Sequence, residues 1–243
     1  MAKFFRSLHN WLGLILVVQI ALWFLSGLVM AILPIEQVRG EHLRRVVSTP
    51  WQQATVSPQQ VLQRHSKEAS FSLSQRLSWQ HNQLTALPVY LVNDGGQLYR
   101  YSAASGKTLT VLTEQDIRQL AQAQYQGKGE LQTARLLQQL PQEVQQLTAP
   151  LWQLQFADSD NSRFYLDPAT GAVLRIRTNN WRWFDFFWML HIMDYQDRSN
   201  FNSPWLIAFS ASALLFTLSG IVLLWQRFRP KRRKFLNNNV SSG

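Results

Sequence analysis

Two long apolar runs near the ends of the chain dominate its pattern of hydrophobic and polar positions. The first, Leu12 to Leu33, has 22 residues and is interrupted only by Gly13, Gln19, Ser26 and Gly27. As a helix it would extend about 33 Å, which is enough to cross the hydrocarbon core of a bilayer. The second, Trp205 to Trp225, is of similar length. The pattern predicts transmembrane helices at 9–33 and 204–226.

The residues that flank these runs predict their orientation. Lys3 and Arg6 precede the first run, and a basic tail at 227–243 follows the second. Because cytoplasmic flanks are rich in Lys and Arg, we expect 1–8 and 227–243 to be cytoplasmic and the centre of the chain to lie outside the cytoplasm. The first run is too long for a typical cleaved signal peptide, and no A-x-A-like site follows it, so we interpret it as an uncleaved anchor.

An aromatic segment leads into the second run, with the sequence Trp-Arg-Trp-Phe-Asp-Phe-Phe-Trp at 181–188. Tryptophan rings collect at the membrane surface because the ring is apolar while its N–H stays hydrated. We therefore interpret 181–203 as an interfacial segment.

Between the runs, short helix and strand signals predict two helix-plus-sheet units. In the first unit, 34–112, Ser57 and Pro58 begin a helix at 58–67; strands are predicted at 71–79, 88–93, 98–101 and 108–112. In the second, 113–180, Thr113 caps a helix at 114–125; a second helix is predicted at 130–139, and strands at 151–157, 162–167 and 172–177.

A repeated motif supports this division. Tyr-Arg-Tyr-Ser-Ala-Ala-Ser-Gly-Lys-Thr-Leu at 99–109 aligns with Phe-Tyr-Leu-Asp-Pro-Ala-Thr-Gly-Ala-Val-Leu at 164–174. Each copy predicts a strand, a four-residue turn that ends in glycine, and another strand, because glycine supplies the positive φ that such a turn needs. The expected fold class is α+β.

Charge and cysteine content exclude several functions. The net charge of +10 comes mostly from the two termini, since 16 basic and 14 acidic residues remain between the apolar runs. The sequence therefore shows no basic face for nucleic acid. With no cysteine, it can form no disulfide, thiolate zinc site, iron–sulfur centre or covalent c-type haem. No Ser-His-Asp arrangement, phosphate-binding glycine loop or HExxH motif is present.

Three motifs carry a resemblance to a known family. The stretch Tyr165 to Leu174 is similar to the core motif of PepSY domains, which are small α+β modules. His9-Asn10-Trp11-Leu12-Gly13-Leu14 resembles the opening of the PepSY-associated transmembrane family, with Asn10 in place of the family arginine, and Leu190-His191 resembles its Leu-His pair. The resemblance implies two transmembrane helices that flank an extracytoplasmic domain of tandem PepSY-like units.

Some longer relatives in this family, with four or more spans, are haem-containing reductases of ferric siderophores. The resemblance therefore implies a bacterial inner-membrane protein with a periplasmic domain, which acts as a b-type haem-binding electron-transfer subunit. The alternative is a non-catalytic membrane-anchored subunit whose periplasmic domain binds a protein partner. Expected partners are the lipid bilayer, a second copy of the chain or a larger membrane complex, and a redox protein.

The candidate axial ligands are His9, His191 and His42, because haem b needs one or two imidazoles in a dry pocket. His9 and His191 are expected at opposite ends of the spans, about 30 Å apart, so one copy cannot place both on one iron. A homodimer would pair them into two levels of a four-helix bundle; His42 is the alternative partner of His191. Possible pocket walls are Trp11, Trp23 and Trp188.

Each of these histidines also has a structural interpretation. His9 can cap its helix or contact headgroups, and His191 can bond a backbone carbonyl at the interface. We expect His65 and His81 to be surface residues, and Asp158, Asp160 and Asn161 to form a polar turn, since the glycine and distal glutamate of a calcium loop are missing. Gln19, in mid-membrane, is expected to face a helix or a cofactor.

Overall fold

The computed structural model describes residues 2–229 and divides into two compact units. Among these residues, the helical unit comprises 2–30 and 187–229, and the domain comprises Ala31–Phe186. Most of the basic tail, including Lys231 to Lys234, lies outside the described residues.

The helical unit contains both apolar runs as helices. Helix α1 covers Ala2–Ile32 and helix α6 covers Pro204–Phe228, where the Ser203 side chain accepts a hydrogen bond from the N–H of Leu206 and proline occupies the first turn. Within residues 2–229 these are the 2 helices long and apolar enough to cross a membrane, and only 11% and 6% of their most apolar windows are buried by protein. Their large apolar side chains thus remain exposed, as a bilayer or a partner helix requires.

In the first part of the domain, a short helix packs on a three-stranded antiparallel sheet. After helix α2 (Ile35–Val38) come helix α3 (Pro58–Leu62) and strands β1 (Ser70–Gln80), β2 (Gln83–Asp94) and β3 (Gln97–Ser102), in the order β1-β2-β3. Their shared core consists of Val61, Tyr90, Val92, Tyr101 and Ala103.

Three predictions for this part need correction. The helix at 58–67 ends at Leu62. Strand β2 begins at Gln83, ahead of the predicted 88–93, because His81 and Asn82 both adopt positive φ and form a tight turn between β1 and β2. The strand at 108–112 is reduced to one bridge between Tyr101 and Thr108.

The second part of the domain places a capped helix on a four-stranded antiparallel sheet. Helix α4 (Glu114–Gln124) has a capping box formed by Thr113 and Asp116. Strands β4 (Leu131–Leu137), β5 (Leu151–Phe156), β6 (Arg163–Leu166) and β7 (Val173–Arg177) follow, in the order β4-β5-β6-β7. The core between them includes Ile117, Ala121, Leu154, Phe156 and Phe164.

The helix predicted at 130–139 is wrong, because these residues form β4. Its Leu, Ala, Gln and Arg residues favour a helix in isolation, but Leu131 pairs with Phe156 and Leu137 pairs with Leu151 across β5. Pairing along a neighbouring strand therefore overrides the local preference.

The two copies of the repeated motif adopt the same turn. The N–H of Gly106 donates to the carbonyl of Ser102, and the N–H of Gly171 donates to that of Asp167; both glycines have positive φ. The two sheets nevertheless differ by one strand, and the assignment of both halves as PepSY-like units stays a prediction.

The aromatic segment begins as helix α5 (Asn179–Ile192), whose first eight residues belong to the domain and whose remainder belongs to the helical unit. A loop at 193–203 follows, where the Asp194 carboxylate accepts hydrogen bonds from backbone N–H groups of Gln196, Asp197, Ser199 and Asn200. Its position at a membrane surface stays a prediction.

Candidate functional site

His9, in α1, contacts residues of α6, which are more than 200 positions away in the sequence. Its Nδ1 lies 2.9 Å from Oγ of Ser219 and 3.2 Å from the carbonyl oxygen of Phe216. The ring stacks on that of Phe216 at a centroid distance of 4.2 Å and an angle of 9°. A Cβ placed on Gly220 would lie 3.2 Å from Cε1 of His9, so the missing side chain lets the imidazole approach the helix.

His191, in the last turn of α5, has the corresponding arrangement on α1. Its Nδ1 lies 3.0 Å from Oγ of Ser26, which is fully buried. Gly27 follows, and a Cβ there would lie 3.8 Å from Cε1 of His191. Each histidine thus contacts the serine and glycine of a Leu-Ser-Gly motif. His191 contacts the motif at 25–27 in α1, and His9 contacts the motif at 218–220 in α6.

The partners of these two rings favour one tautomer of each imidazole. The Ser26 hydroxyl donates to the carbonyl of Leu22 at 2.7 Å, so its oxygen accepts from Nδ1–H of His191. Nδ1 of His9 faces the carbonyl of Phe216, which can only accept. In the neutral ring, Nε2 then keeps its lone pair. Among residues 2–229, Nε2 of neither histidine has a hydrogen-bond partner, which is the state a metal ligand requires.

The two histidine levels are far apart along the helical unit. His9 is in α1, and His191 contacts Ser26 of the same helix, 17 residues further on. A rise of 1.5 Å per residue separates the levels by about 26 Å. One copy of the chain therefore cannot bring both imidazoles to one iron.

An apolar cavity of about 760 Å³ lies beside His191. Its walls include Trp23, Phe24, Leu28, Trp188, Phe201 and Leu206. Cofactor pockets usually have volumes of about 300 to 1,000 Å³ and are mostly apolar, with a few polar groups. The size and lining therefore suit a flat apolar group with a metal that binds Nε2 of His191.

A second polar group at this cavity lacks a partner. Nε1 of Trp23 is buried and makes no hydrogen bond among the described residues, and the amide Nε2 of Gln19, one turn earlier on α1, is in the same position. Buried donors are rarely left unpaired, so an acceptor from a bound group would satisfy Trp23. This observation and the lone pair on His191 agree with a haem-type ligand.

The other predicted residues are placed elsewhere. Trp188 lines the cavity and its Nε1 donates to the carbonyl of Arg198, whereas Trp11 is 64% exposed. His42 lies exposed in the short turn Glu41–Leu43 of the domain, so its role as a second ligand of His191 stays a prediction. Within residues 2–229, no three His, Asp or Glu side chains converge on a metal position.

The prediction that His65 is a surface residue is wrong. Its side chain is only 5% exposed, with Nδ1 3.1 Å from Oδ2 of Asp94 and Nε2 2.9 Å from the hydroxyl of Tyr101. His81 is exposed as predicted. Asp158 sits in a polar turn, where its carboxylate accepts from the N–H of Ser162 and the hydroxyl of Tyr125.

Sequence reasoning identified both histidines but missed their partners. The sequence signal for these partners is the Leu-Ser-Gly motif that occurs at both 25–27 and 218–220. Each copy of the motif lies toward the C-terminal end of its helix, whereas His9 lies near the N-terminal end of α1 and His191 precedes the N-terminal end of α6. Antiparallel packing of α1 and α6 therefore brings each histidine to the copy in the other segment.

Together these features define a class of protein in which two apolar helices flank an α+β domain along the sequence and two histidines bond to serines within the helical unit. Comparison with models of known families matches residues 6–242 to the PepSY-associated TM region, and the chain belongs to this family. It is a membrane protein with transmembrane helices. No curated protein and no solved structure matches the chain.

Proposed function

We propose that this chain is a bacterial inner-membrane electron-transfer subunit that binds b-type haem, related to ferric-siderophore reductases. The observation that carries the proposal is His191: its Nδ1–H is committed to Ser26, and its free Nε2 belongs to a ring that lines an apolar cavity. Haem held there would supply one-electron chemistry inside the membrane.

The residues of the chain have separate tasks in this proposal. His191 would provide a nitrogen ligand for the iron, and Ser26 would hold its ring in one tautomer and one orientation, as groups behind metal-binding histidines commonly do. Trp23 and Trp188 line the cavity and would shield a bound haem from water, and Nε1 of Trp23 would donate to a polar edge of the ligand. Water exclusion matters because the dielectric around a haem helps to set its reduction potential.

His9 would form a second level through the same chemistry, with Ser219 in the role of Ser26. Because the levels are about 26 Å apart, a second copy of the chain is the natural source of the second ligand at each level. The exposed apolar faces of α1 and α6 allow such a pairing into a four-helix bundle. The proposed topology keeps both termini in the cytoplasm and the domain in the periplasm.

The test is the visible spectrum of the full-length protein, purified in detergent from cells supplied with haem and iron. We expect a Soret band, sharp α and β bands after dithionite reduction, and a dimeric mass by light scattering. His191→Ala should lose the share of these bands that comes from its level, and His9→Ala/His191→Ala should lose them entirely, whereas His81→Ala, which alters an exposed turn in the domain, should keep them. A featureless wild-type spectrum would contradict the proposal and leave the accessory-subunit alternative.

A further inference from the structure

A basic cleft of about 460 Å³ opens on the domain, between β7 and the segment that follows α1. Four arginines and one carboxylate line it: Arg39, Arg44, Arg175, Arg177 and Glu41. The lining therefore carries a net charge of about +3, although the whole region between the apolar runs is nearly neutral. Such a local excess marks a site for an anion.

The fold holds two of these arginines in place. Nε of Arg177 donates to the carbonyl of Glu143 at 2.7 Å, and its guanidinium lies 4.1 Å from the ring centroid of Trp181. Nη1 of Arg44 donates to the carbonyl of Val173 at 3.1 Å. Each guanidinium has five N–H donors, so both side chains are oriented and still have donors for a ligand.

The positive charges act on one another within the cleft. Burial first, and then the charge of Arg175, lower the pKa of Arg177 to about 10. Arg177 nevertheless stays protonated near neutral pH, and an anion in the cleft would relieve the repulsion.

The remaining walls are apolar, which distinguishes the cleft from a site for a small free ion. Ile35, Val38, Ile176, Trp181 and Phe184 contribute them. A charged group with an attached hydrocarbon part satisfies both kinds of wall at once, whereas a hydrated inorganic ion would contact only the arginines.

The position of the cleft along the chain limits where its ligand can come from. Ile35 is three residues after Ile32, the last residue of the apolar helix α1. Three residues span at most about 11 Å, and the headgroup layer on each side of a bilayer is about 5 to 7 Å thick. One wall of the cleft therefore lies within reach of lipid headgroups.

We propose that this cleft binds a phosphate-bearing anion, and that its source is the headgroup of an anionic membrane lipid. The arginines hold the phosphate, and the apolar walls contact the glycerol and the start of the acyl chains. This site does not depend on the proposed haem function.

The experiment titrates the full-length protein, in neutral detergent, with dioctanoyl phosphatidylglycerol and counts bound lipid by native mass spectrometry. Dioctanoyl phosphatidylcholine and inorganic phosphate serve as separate arms. The test variant is Arg39→Gln/Arg175→Gln, because both side chains are exposed and make no long-range hydrogen bond to the rest of the domain. The control is Arg118→Gln/Arg135→Gln, which removes the same charge from α4 and from β4 at the opposite edge of the sheet.

Each arginine near a lipid surface contributes about 1 kcal/mol, so the test variant should bind phosphatidylglycerol about 30-fold more weakly than wild type. The control should change binding less than about twofold, and Arg39→Lys/Arg175→Lys should retain most of it. Equal affinity for phosphatidylcholine, equal affinity for inorganic phosphate, or equal weakening in test and control would each overturn the lipid assignment. Circular dichroism of both variants separates binding from folding.

Discussion

Two partly buried histidines, one in each unit of the molecule, show how similar contacts serve different purposes. In the domain, His65 gives Nδ1–H to Asp94 and accepts the hydroxyl of Tyr101 at Nε2, so both ring nitrogens are satisfied. In the helical unit, His191 gives Nδ1–H to Ser26 and leaves Nε2 without a partner among the described residues. Both ring nitrogens of His65 therefore have partners within the domain, whereas Nε2 of His191 would gain a partner only from a bound ligand.

The surroundings of the two rings support this distinction. His65 packs against Tyr99 and Tyr101 and has a side chain that is 5% exposed, which leaves no room for a cofactor. His191 instead adjoins the apolar cavity. Burial alone therefore does not identify a ligand histidine, whereas the state of its second nitrogen does.

The largest expected effect is that substitution of His191 changes haem absorption but not domain stability, whereas substitution of His65 changes domain stability but not haem absorption. His191→Ala should remove the share of the Soret band that comes from the His191 level of the detergent-purified protein and leave the domain folded. His65→Ala should keep the band and destabilise the domain by about 2–3 kcal/mol, because it removes two hydrogen bonds and leaves the Tyr101 hydroxyl without this partner, while Asp94 keeps its bonds from Ser66. The measurements are visible absorption and hydrogen exchange of the domain amides. Equal loss of the band in both variants would refute the distinction.

The next effect concerns the group behind His191. Ser26→Ala removes the acceptor for Nδ1–H but leaves the imidazole, so we expect haem affinity to fall about 10- to 100-fold without loss of the helices. Haem titration of the apoprotein gives the affinity, and Ser212→Ala is the control, since the Ser212 hydroxyl bonds only to the carbonyl of Ala208 in its own helix. Undiminished affinity in Ser26→Ala would show that the serine serves packing alone.

Much of the fold follows from local signals. Thr113 as a cap predicted the first residue of α4, and the predicted end at 125 lies one residue beyond the observed end at Gln124. The glycines at 106 and 171 predicted both repeated turns. These features depend on residues within a few positions of each other, where steric and hydrogen-bond preferences are strong.

The errors arose where distant residues decide. Strand β4 forms because it pairs with β5, which lies beyond Pro141 in the sequence. The side chain of His65 is covered through its contacts with Asp94 and Tyr101, which are 29 and 36 residues further along the chain. The site shows the same limit: the sequence singled out His9 and His191, but the serines that orient them are separated by 210 and 165 positions. Only the packing of the helices brings them together.

A smaller expected effect is a pH dependence of domain stability that comes from Asp94, the partner of His65, and not from Ser26, the partner of His191. Hydrogen bonds from the hydroxyl and then the N–H of Ser66, followed by the contact with His65, lower the pKa of Asp94. Because this pKa is lower in the folded than in the unfolded domain, ionised Asp94 stabilises the fold above the unfolded value, about 3.9. That stability is lost as the pH falls through the folded value.

Asp94→Asn should therefore flatten the acid dependence of domain stability below about pH 5, measured as the urea midpoint of domain hydrogen exchange in the full-length protein. Glu68→Gln, which changes an exposed carboxylate nearby, should keep the wild-type slope. The Ser26 contact contains no acidic group, so Ser26→Ala should also keep it. A wild-type slope in Asp94→Asn would mean that this carboxylate does not support His65.

The smallest expected effect concerns His9, whose surroundings are intermediate between those of His65 and those of His191. Its ring has a free Nε2 among the described residues, as His191 has, but Phe216 covers one face and Gly220 touches its edge. Alanine at Gly220 would meet Cε1 of His9 at 3.2 Å, whereas alanine at Gly27 would meet Cε1 of His191 at 3.8 Å, an ordinary contact. Both substitutions gain the same helix propensity, about 1 kcal/mol, so the difference between them isolates the contact with the histidine.

We expect Gly220→Ala to be less stable than Gly27→Ala by up to about 1 kcal/mol, measured by thermal unfolding in detergent. In a His9→Ala background this difference should vanish, because the alanine then has nothing to displace. If it persists, the closeness at Gly220 reflects helix packing that does not involve the imidazole. If it vanishes, His9 is enclosed more tightly than His191, and its level of the helical unit accommodates a ligand only after the helices shift.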